Sequence, residues 1–147
     1  MGRTKQRRAA VFISYQRDVT GTPLEELIDR GWESPDDEPS RSGGSADVIA
    51  RAPGPFTREL AEGVEETRDE LDKLIEEHSI GWPVGRIAPL ERAILRVALH
   101  EILHRPDVPD EVAVDEAVET AKLYCGADAP GFINGILGGV LKNAKHV

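Results

Sequence analysis

The sequence is poor in cysteine and in aromatic residues, and it contains no long apolar run. A single cysteine, Cys125, among 147 residues excludes an internal disulfide framework and is typical of the reducing cytoplasm. Because aromatic residues make up only 5% of the chain, the core must be built from Leu, Ile, Val and Ala, which favours helix packing over a β-sandwich. No apolar stretch approaches the roughly 20 residues of a membrane helix. We therefore expect a cytoplasmic protein with no membrane contact.

The amino terminus also lacks the features of a secretion signal. Its apolar run, within RRAAVFISYQRD, is short and closes on Gln16, Arg17 and Asp18. Hydrophobic residues make up 39% and charged residues 31% of the chain, which is typical of a globular protein. The length predicts a single domain, residues 1–147, with a core of its own.

Charge is distributed unevenly along the chain. The formal net charge is −9, yet residues 1–17 contain five of the 18 basic residues and none of the 27 acidic ones. A basic arm is thus attached to an acidic body, and affinity for phosphate depends on such local potential. Charge alone leaves open whether this arm binds nucleic acid or is an ordinary solvated helical turn.

Hydrophobic spacing predicts six helices and no strand. Apolar residues recur three and four positions apart, and no segment alternates with a period of two. The N-terminal helical half (about 1–80) includes a flexible loop at about 33–54, rich in Ser, Gly, Pro and Asp, and the C-terminal half covers about 84–147. The predicted fold class is therefore all-α. The expected helices cover about 4–17, 23–30, 56–78, 89–104, 110–124 and 130–142.

One short pattern is typical of zinc hydrolases. Residues 100–104 read HEILH, which matches the H-E-x-x-H spacing of two metal ligands and a general base. The Arg-Pro pair at 105–106 ends the helix at once, and no further ligand pattern follows. We therefore favour two partly exposed helical histidines with no metal. Cys125 has no neighbouring base in the sequence and is predicted to be a structural residue at a helix end.

Two further features predict packing. Trp82, between Gly81 and Pro83, is expected to be a core anchor where the two halves meet. The glycines of the last helix do not form a phosphate loop, since no strand precedes them and no Lys-Ser/Thr follows. We expect them to allow close helix packing. These glycines are Gly135, Gly138 and Gly139.

The basic arm has the composition of a single-stranded RNA contact. Such RNA is held by cations on its phosphates and by aromatic rings on its bases. Tyr15 lies on the helix that follows the arm, where it is either a stacking residue or a core residue. The arm's cations are Arg3, Lys5, Arg7 and Arg8.

Several segments, taken in order, resemble the NusB family of antitermination factors. No single segment is specific, but their order and spacing together are, and the resemblance covers nearly the whole chain outside residues 33–54. It begins with the basic arm. The segments that follow are YQRD (15–18), FTRELAEGV (56–64), ILRVALHEIL (94–103), DVP (107–109), DEAVETAK (115–122) and FINGIL (132–137).

The resemblance implies a non-enzymatic protein of two packed three-helix subdomains, with no cofactor and no metal. It implies binding to the boxA element of nascent RNA together with NusE, a small-subunit ribosomal protein. Within an RNA polymerase antitermination complex, the pair would promote read-through of terminators, notably in ribosomal RNA operons. Glu91 would face NusE. The residues implied at RNA are Arg3, Lys5, Arg7, Arg8, Tyr15, Asp128 and Phe132.

Two alternatives belong to other functional classes. The chain could be a structural helical adaptor, including a homodimer, that does not bind RNA. It could also be a zinc hydrolase that uses the H-E-x-x-H pattern. Neutral substitutions in the basic arm separate the first alternative from RNA binding, and metal analysis tests the second.

Overall fold

A computed structural model describes residues 2–30 and 54–144 of the chain. These residues form six α-helices, one 3-10 turn and no strand, so the all-α prediction is confirmed. The predicted flexible loop lies outside the described residues except for Gly54, which precedes a helix. The helices are α1 (Arg3–Thr20), α2 (Leu24–Asp29), α3 (Pro55–His78), α4 (Pro89–His104), α5 (Asp110–Tyr124) and α6 (Ala129–Ala144), with the 3-10 turn at Val84–Arg86.

Helix α4 is the centre of the molecule. Its nine consecutive residues Ala93–Glu101 are all buried, because α1, α3, α5 and α6 pack around it. One apolar core runs through both halves, and most of its members are aliphatic, as the low aromatic content predicts. None of the described helices combines the length and the apolar character that a bilayer crossing requires. The fully buried aliphatic residues of this core include Leu60, Leu71, Ile75, Ile94, Leu95, Leu99, Ile133 and Leu137.

A buried carboxylate joins three of these helices. Asp18 of α1 accepts hydrogen bonds from Arg68 of α3 at 2.7 Å and from Arg92 of α4 at 2.7 Å. Arg96 of α4 donates a third at 3.1 Å and also binds Asp72 of α3 through two nitrogens, at 2.7 and 3.0 Å. Burial raises the pKa of Asp18, but the hydrogen bond from Arg92 and the charges of the three arginines outweigh it and hold the pKa below the usual 3.8.

Helix α3 is kinked where it crosses α4. Thr67 leaves helical geometry (φ −109°, ψ 15°), and its hydroxyl donates to the carbonyl of Gly63 at 2.7 Å. The imidazole of His100 lies against Gly63, so close that a Cβ added there would be 2.2 Å from Nε2. The glycine is therefore required for this crossing.

The turn after α3 corrects one prediction. Ile80 (φ +50°) and Gly81 (φ +79°) turn the chain outward, and Trp82 is 55% exposed. Trp82 is therefore not the expected core anchor. The junction between the halves is filled instead by Ile75 and Ile87, both buried in the common core.

Of the three α6 glycines that were expected to allow close packing, only one makes such a contact. Gly139 faces the ring of His78, and a Cβ there would lie 3.0 Å from it. His78 Nε2 also accepts a hydrogen bond from the Asn143 amide Nδ2 at 2.8 Å, which links the end of α3 to α6. Gly135 and Gly138 have no atom within 4 Å of a Cβ position, so close packing is wrong for these two.

Candidate nucleic-acid interface

The basic arm forms the first turns of α1, and the helix divides its cations between two faces. With 3.6 residues per turn, Arg3 and Arg7 lie on one face, toward α3 and the α4–α5 turn. Lys5 and Arg8 lie on another, in line with Phe12, which is seven residues after Lys5 and four after Arg8. We call the residues Lys5, Arg8, Phe12 and Tyr15, spaced by three, four and three positions, the α1 stripe.

Arg7 is a core residue. Its side chain is 8% exposed, its Nε donates to both carboxylate oxygens of Glu101 at 2.9 Å, and Nη1 lies 3.7 Å from Glu116. Burial raises the pKa of Glu101, and the hydrogen bond and charge of Arg7 only partly offset this. The guanidinium is buried and lies between two carboxylates, so a phosphate would have to displace them, and the phosphate contact of Arg7 stays a prediction.

Arg3 is half exposed but already has partners. Its guanidinium lies 4.4 Å from the centre of the Phe56 ring, and Nη2 donates to Asp107 at 3.2 Å. Arg105 binds the same carboxylate and also lies over Phe56, at 5.2 Å. A phosphate that bound Arg3 would have to compete with Asp107.

The α1 stripe changes from cationic to aromatic along its length. Lys5 is exposed and Arg8 is half-buried. Phe12 packs edge-to-face on Tyr124 of α5, with ring centres 5.0 Å apart and planes at 80°. Tyr15 is partly buried against the core, so it both packs and retains an exposed part. Sequence analysis missed Tyr124, whose only signal was its position at a helix end.

A cleft of about 290 Å³ lies between the 3-10 turn and the first turns of α4 and α6. It brings together Phe132, predicted at RNA, and Glu91, predicted at the protein partner. Asp128 is exposed beside it, and its backbone carbonyl accepts the Phe132 N–H at 3.2 Å. We call this site the aromatic cleft. Its lining residues are Trp82, Arg86, Ile87, Ala88, Glu91 and Phe132.

The aromatic cleft and the α1 stripe are connected through consecutive residues. Tyr124 contacts Phe12 of the stripe. The next residue, Cys125, lies close enough to Glu91 for the negative charge of that carboxylate to raise the pKa of the thiol. Burial and this charge raise the pKa of the Cys125 thiol to about 11, so it stays protonated, as expected of a structural cysteine. Burial also raises the pKa of Glu91 above its usual 4.5.

Residues 4–142 match the family model described as NusB family. The chain belongs to the NusB family. Two relatives named transcription antitermination protein NusB agree with it over nearly their whole length. The protein of Rubrobacter xylanophilus is 45% identical over 139 residues, covering 95% of this chain and 89% of the relative. That of Symbiobacterium thermophilum is 40% identical over 148 residues, covering 99% and 92%.

Solved NusB structures have the same fold. The NusB of T. maritima superimposes with a TM-score of 0.74 at 26% identity, covering 97% of this chain and 92% of the other. NusB crystallised with NusE and double-stranded RNA gives a TM-score of 0.70 at 20% identity, covering 97% and 99%. At 20% identity, this second match shows that the fold is shared and shows nothing about function.

The H-E-x-x-H pattern is accidental in this NusB protein, since members of the family are transcription antitermination factors and not enzymes. Glu101, the would-be general base, is bound by Arg7. His100 is 7% exposed, so the expectation of two partly exposed histidines is wrong for it, whereas His104 is exposed and pairs with Glu70 at 3.3 Å. Among residues 2–30 and 54–144, no group of three His, Cys, Asp or Glu could hold a metal ion.

Proposed function

We propose that this NusB protein is an RNA-binding adaptor that pairs with NusE on boxA-type single-stranded RNA. In this role it promotes read-through by RNA polymerase within an antitermination complex, notably in ribosomal RNA operons. It acts in the cytoplasm and needs no cofactor. The observation that carries the proposal is the arrangement of cations and aromatic rings: Lys5 and Arg8 lead along α1 to the half-buried Tyr15, and Phe132 lines the aromatic cleft.

The chemistry of this surface suits single-stranded RNA. Lys5 and Arg8 lie where the stripe is most exposed and meet the phosphates, while Tyr15 and Phe132 offer ring surface to bases. Arg3 joins the phosphate contacts when it leaves Asp107. Asp128 is exposed four residues before Phe132, where it accepts base or ribose donors. Arg7 acts indirectly, since its pairing with Glu101 fixes the position of α1.

The pairing with NusE is supported by the relatives. A solved complex contains a NusB protein together with NusE and RNA, and it has the fold of this chain. Residues 18–147, the acidic body, contain all 27 acidic residues and 13 of the 18 basic ones, an excess of negative charge that favours a cationic partner surface. Glu91 at the rim of the cleft is our candidate for that contact.

The test is binding of a fluorescent boxA-type RNA, with and without NusE, across a salt series. We expect NusE to tighten binding, and log K to fall with log salt by roughly 0.7 for each phosphate neutralised. Replacing Lys5 and Arg8 by Ser should reduce that slope by about 1.4, or two contacts. The matched control is Arg58→Ser, an exposed cation of α3 paired with Glu62, which should leave the slope unchanged.

Other outcomes would favour the alternatives. If NusE binds and RNA does not, the protein is an adaptor with no RNA role. If sedimentation shows a dimer whose RNA binding appears only on dilution, a homodimer hides the stripe. An unchanged salt slope in the double variant would contradict the proposed path along α1.

A further inference from the structure

Two guanidinium groups from distant parts of the chain share one carboxylate. Arg3 begins α1 and Arg105 follows the last residue of α4, and both bind Asp107 in the turn between α4 and α5. Nη2 of Arg3 donates to Asp107 Oδ2 at 3.2 Å, and Nη2 of Arg105 donates to the same oxygen at 3.3 Å. We call Arg3 and Arg105 the arginine clamp. Because two cations that converge on one point repel each other, the clamp is a site for an anion.

The two arginines of the clamp have contacts of their own that do not involve Asp107. The guanidinium groups of Arg3 and Arg105 lie 4.4 and 5.2 Å from the centre of the Phe56 ring, within the range of cation–π attraction. Glu59 accepts a hydrogen bond from Nη1 of Arg105, whose side chain is only 22% exposed. The remaining edge of Arg105, formed by Nε and Nη2, faces the anion site. The clamp is therefore held in place independently of the anion that it binds.

The Asp107 carboxylate, by contrast, is exposed and fills the clamp incompletely. Its side chain is 49% exposed, and its contacts with the clamp measure 3.2–3.3 Å, longer than the about 2.7–2.9 Å of strong charge-assisted hydrogen bonds. Among the described residues, none accepts the buried Nε–H of Arg105 in hydrogen-bonding geometry, although Asp107 Oδ1 lies 3.2 Å from Nε. The buried pair of Arg7 and Glu101 has both of its hydrogen bonds at 2.9 Å. Asp107 is thus a replaceable anion.

The geometry of the clamp suits a phosphate of an RNA backbone. A phosphodiester carries two charged oxygens side by side, which accept two parallel hydrogen bonds from the Nε and Nη2 edge of an arginine. Arg3 then adds a third donor from the side of α1. A carboxylate of a protein partner has the same two oxygens, but Arg3 lies two residues from Lys5, the exposed cation with which the α1 stripe begins. A strand on the stripe brings its own phosphates to the clamp.

Resting on the proposed RNA-binding function, we propose that the arginine clamp is a phosphate subsite for the RNA strand and that Asp107 occupies it as an internal competitor in the free protein. When RNA binds, a phosphate displaces the Asp107 carboxylate and accepts the hydrogen bonds of Arg3 and Arg105. Arg105 is then an RNA contact that the sequence did not predict. Asp107 lowers the affinity for RNA of any sequence, because phosphate contacts read no bases.

The first experiment removes the competitor. Asp107→Asn keeps the size of the side chain but not its charge, and we expect a boxA-type RNA, without NusE, to bind about fivefold more tightly at low salt. In the parent, the neutralised phosphate is offset by the release of Asp107, so the variant should steepen the slope of log K against log salt by about 0.7. The matched control is Asp69→Asn, the same change at an exposed position of α3, which should alter affinity less than about twofold and leave the slope unchanged.

The second experiment tests whether the gain depends on the clamp. Arg105→Lys keeps the positive charge but lacks the planar fork, so Asp107→Asn in this background should tighten RNA binding by less than about twofold. Arg3→Lys, at a half-exposed site, should reduce the gain in the same way and serves if Arg105→Lys does not fold, as thermal unfolding shows. An equal gain in all backgrounds would come from net charge alone and would overturn the proposal.

The third experiment uses inorganic phosphate, so that it does not depend on RNA. The Nε–H signal of Arg105 is assigned with Arg105→Lys and followed by NMR during a phosphate titration at constant ionic strength. We expect a saturable shift, with a midpoint about fivefold lower in Asp107→Asn than in the parent. Asp69→Asn should have the midpoint of the parent.

The results separate the clamp from the broader function. If RNA binds the parent but Asp107→Asn binds it no more tightly than Asp69→Asn does, the clamp is overturned and the RNA-binding function stands. If no RNA binds while phosphate still binds Asp107→Asn more tightly than the parent, the anion site stands and the RNA-binding function fails. If Asp107→Asn changes only the binding of NusE, the turn is a protein contact and the proposal is wrong.

Discussion

At the scale of single residues, Asp18 joins the two helical halves through ion pairs. Its carboxylate, 8% exposed, is shared by Arg68, Arg92 and Arg96, which come from two different helices. Removing one partner of such a buried cluster leaves uncompensated charge, which costs far more than the loss of a surface ion pair.

We therefore expect Asp18→Asn to lower the free energy of unfolding by about 3–5 kcal/mol. The amide keeps the size of the side chain but leaves Arg68 and Arg92 without their anion, whereas Arg96 keeps Asp72. Urea denaturation followed by circular dichroism measures the change. Asp69→Asn, an exposed carboxylate of α3, should stay within about 0.5 kcal/mol of the parent. Equal effects of the two substitutions would show that the cluster does not stabilise the fold.

At the scale of single residues, the sequence predicted which residues carry the basic arm better than it predicted the residues that they contact. The arginines of the arm were found, but their division between faces was not, because Arg7 is committed by Glu101, 94 residues away. Trp82 was assigned to the core since large apolar residues usually are, yet the left-handed turn before it places it outside. The spacing of apolar residues shows neither which distant residues form ion pairs nor the direction in which the chain leaves a turn.

The bounds of the helices were the structural feature that the sequence predicted best. The apolar period and the punctuation by Pro and Gly gave the bounds of α4 and α5 as observed, and those of α1, α3 and α6 within about three residues. The kink of α3 was not predicted. The kink at Thr67 lies one turn after Gly63, whose close contact with His100 of another helix is not visible in any pattern within α3.

That contact makes a prediction about the crossing of α3 and α4. Gly63→Ala should destabilise the protein by roughly 1–3 kcal/mol, because the added methyl would overlap a buried imidazole that has little room to move. Combining it with His100→Ala should recover part of the loss. Gly135→Ala is the matched control in α6, where nothing lies near the new methyl and helix propensity should add up to about 1 kcal/mol of stability. Thermal unfolding compares the four proteins.

Across the whole molecule, buried titratable groups make stability depend on pH. The pKa of His100 lies below its usual 6.5, mainly because of burial, and then because of the charges of His104 and Arg105, with Glu70 acting in the opposite direction. Between that lowered pKa and 6.5 the unfolded chain binds a proton that the folded protein does not, so stability falls as pH drops. Asp18 acts in the same sense below pH 3.8.

We expect the parent protein to lose stability between pH 7.5 and pH 5.0 relative to His100→Gln, which has no proton to bind there. Urea midpoints of the two proteins at both pH values measure this difference. Glu91 and Glu101, whose pKa values are raised by burial, are present in both proteins and cancel in the comparison. A constant difference between the two proteins would contradict a role for this imidazole.

The long-range ion pairs also set the order of events during synthesis. Arg7 of α1 finds its carboxylate only when Glu101 exists, 94 residues later, and Asp18 completes its cluster only with Arg96, 78 residues later. At roughly 5–20 residues per second, translation takes about 5 to 19 seconds to bridge the longer gap. The first helix to leave the ribosome is thus among the last to complete its contacts, and its apolar face must meanwhile rely on α3 or on a chaperone.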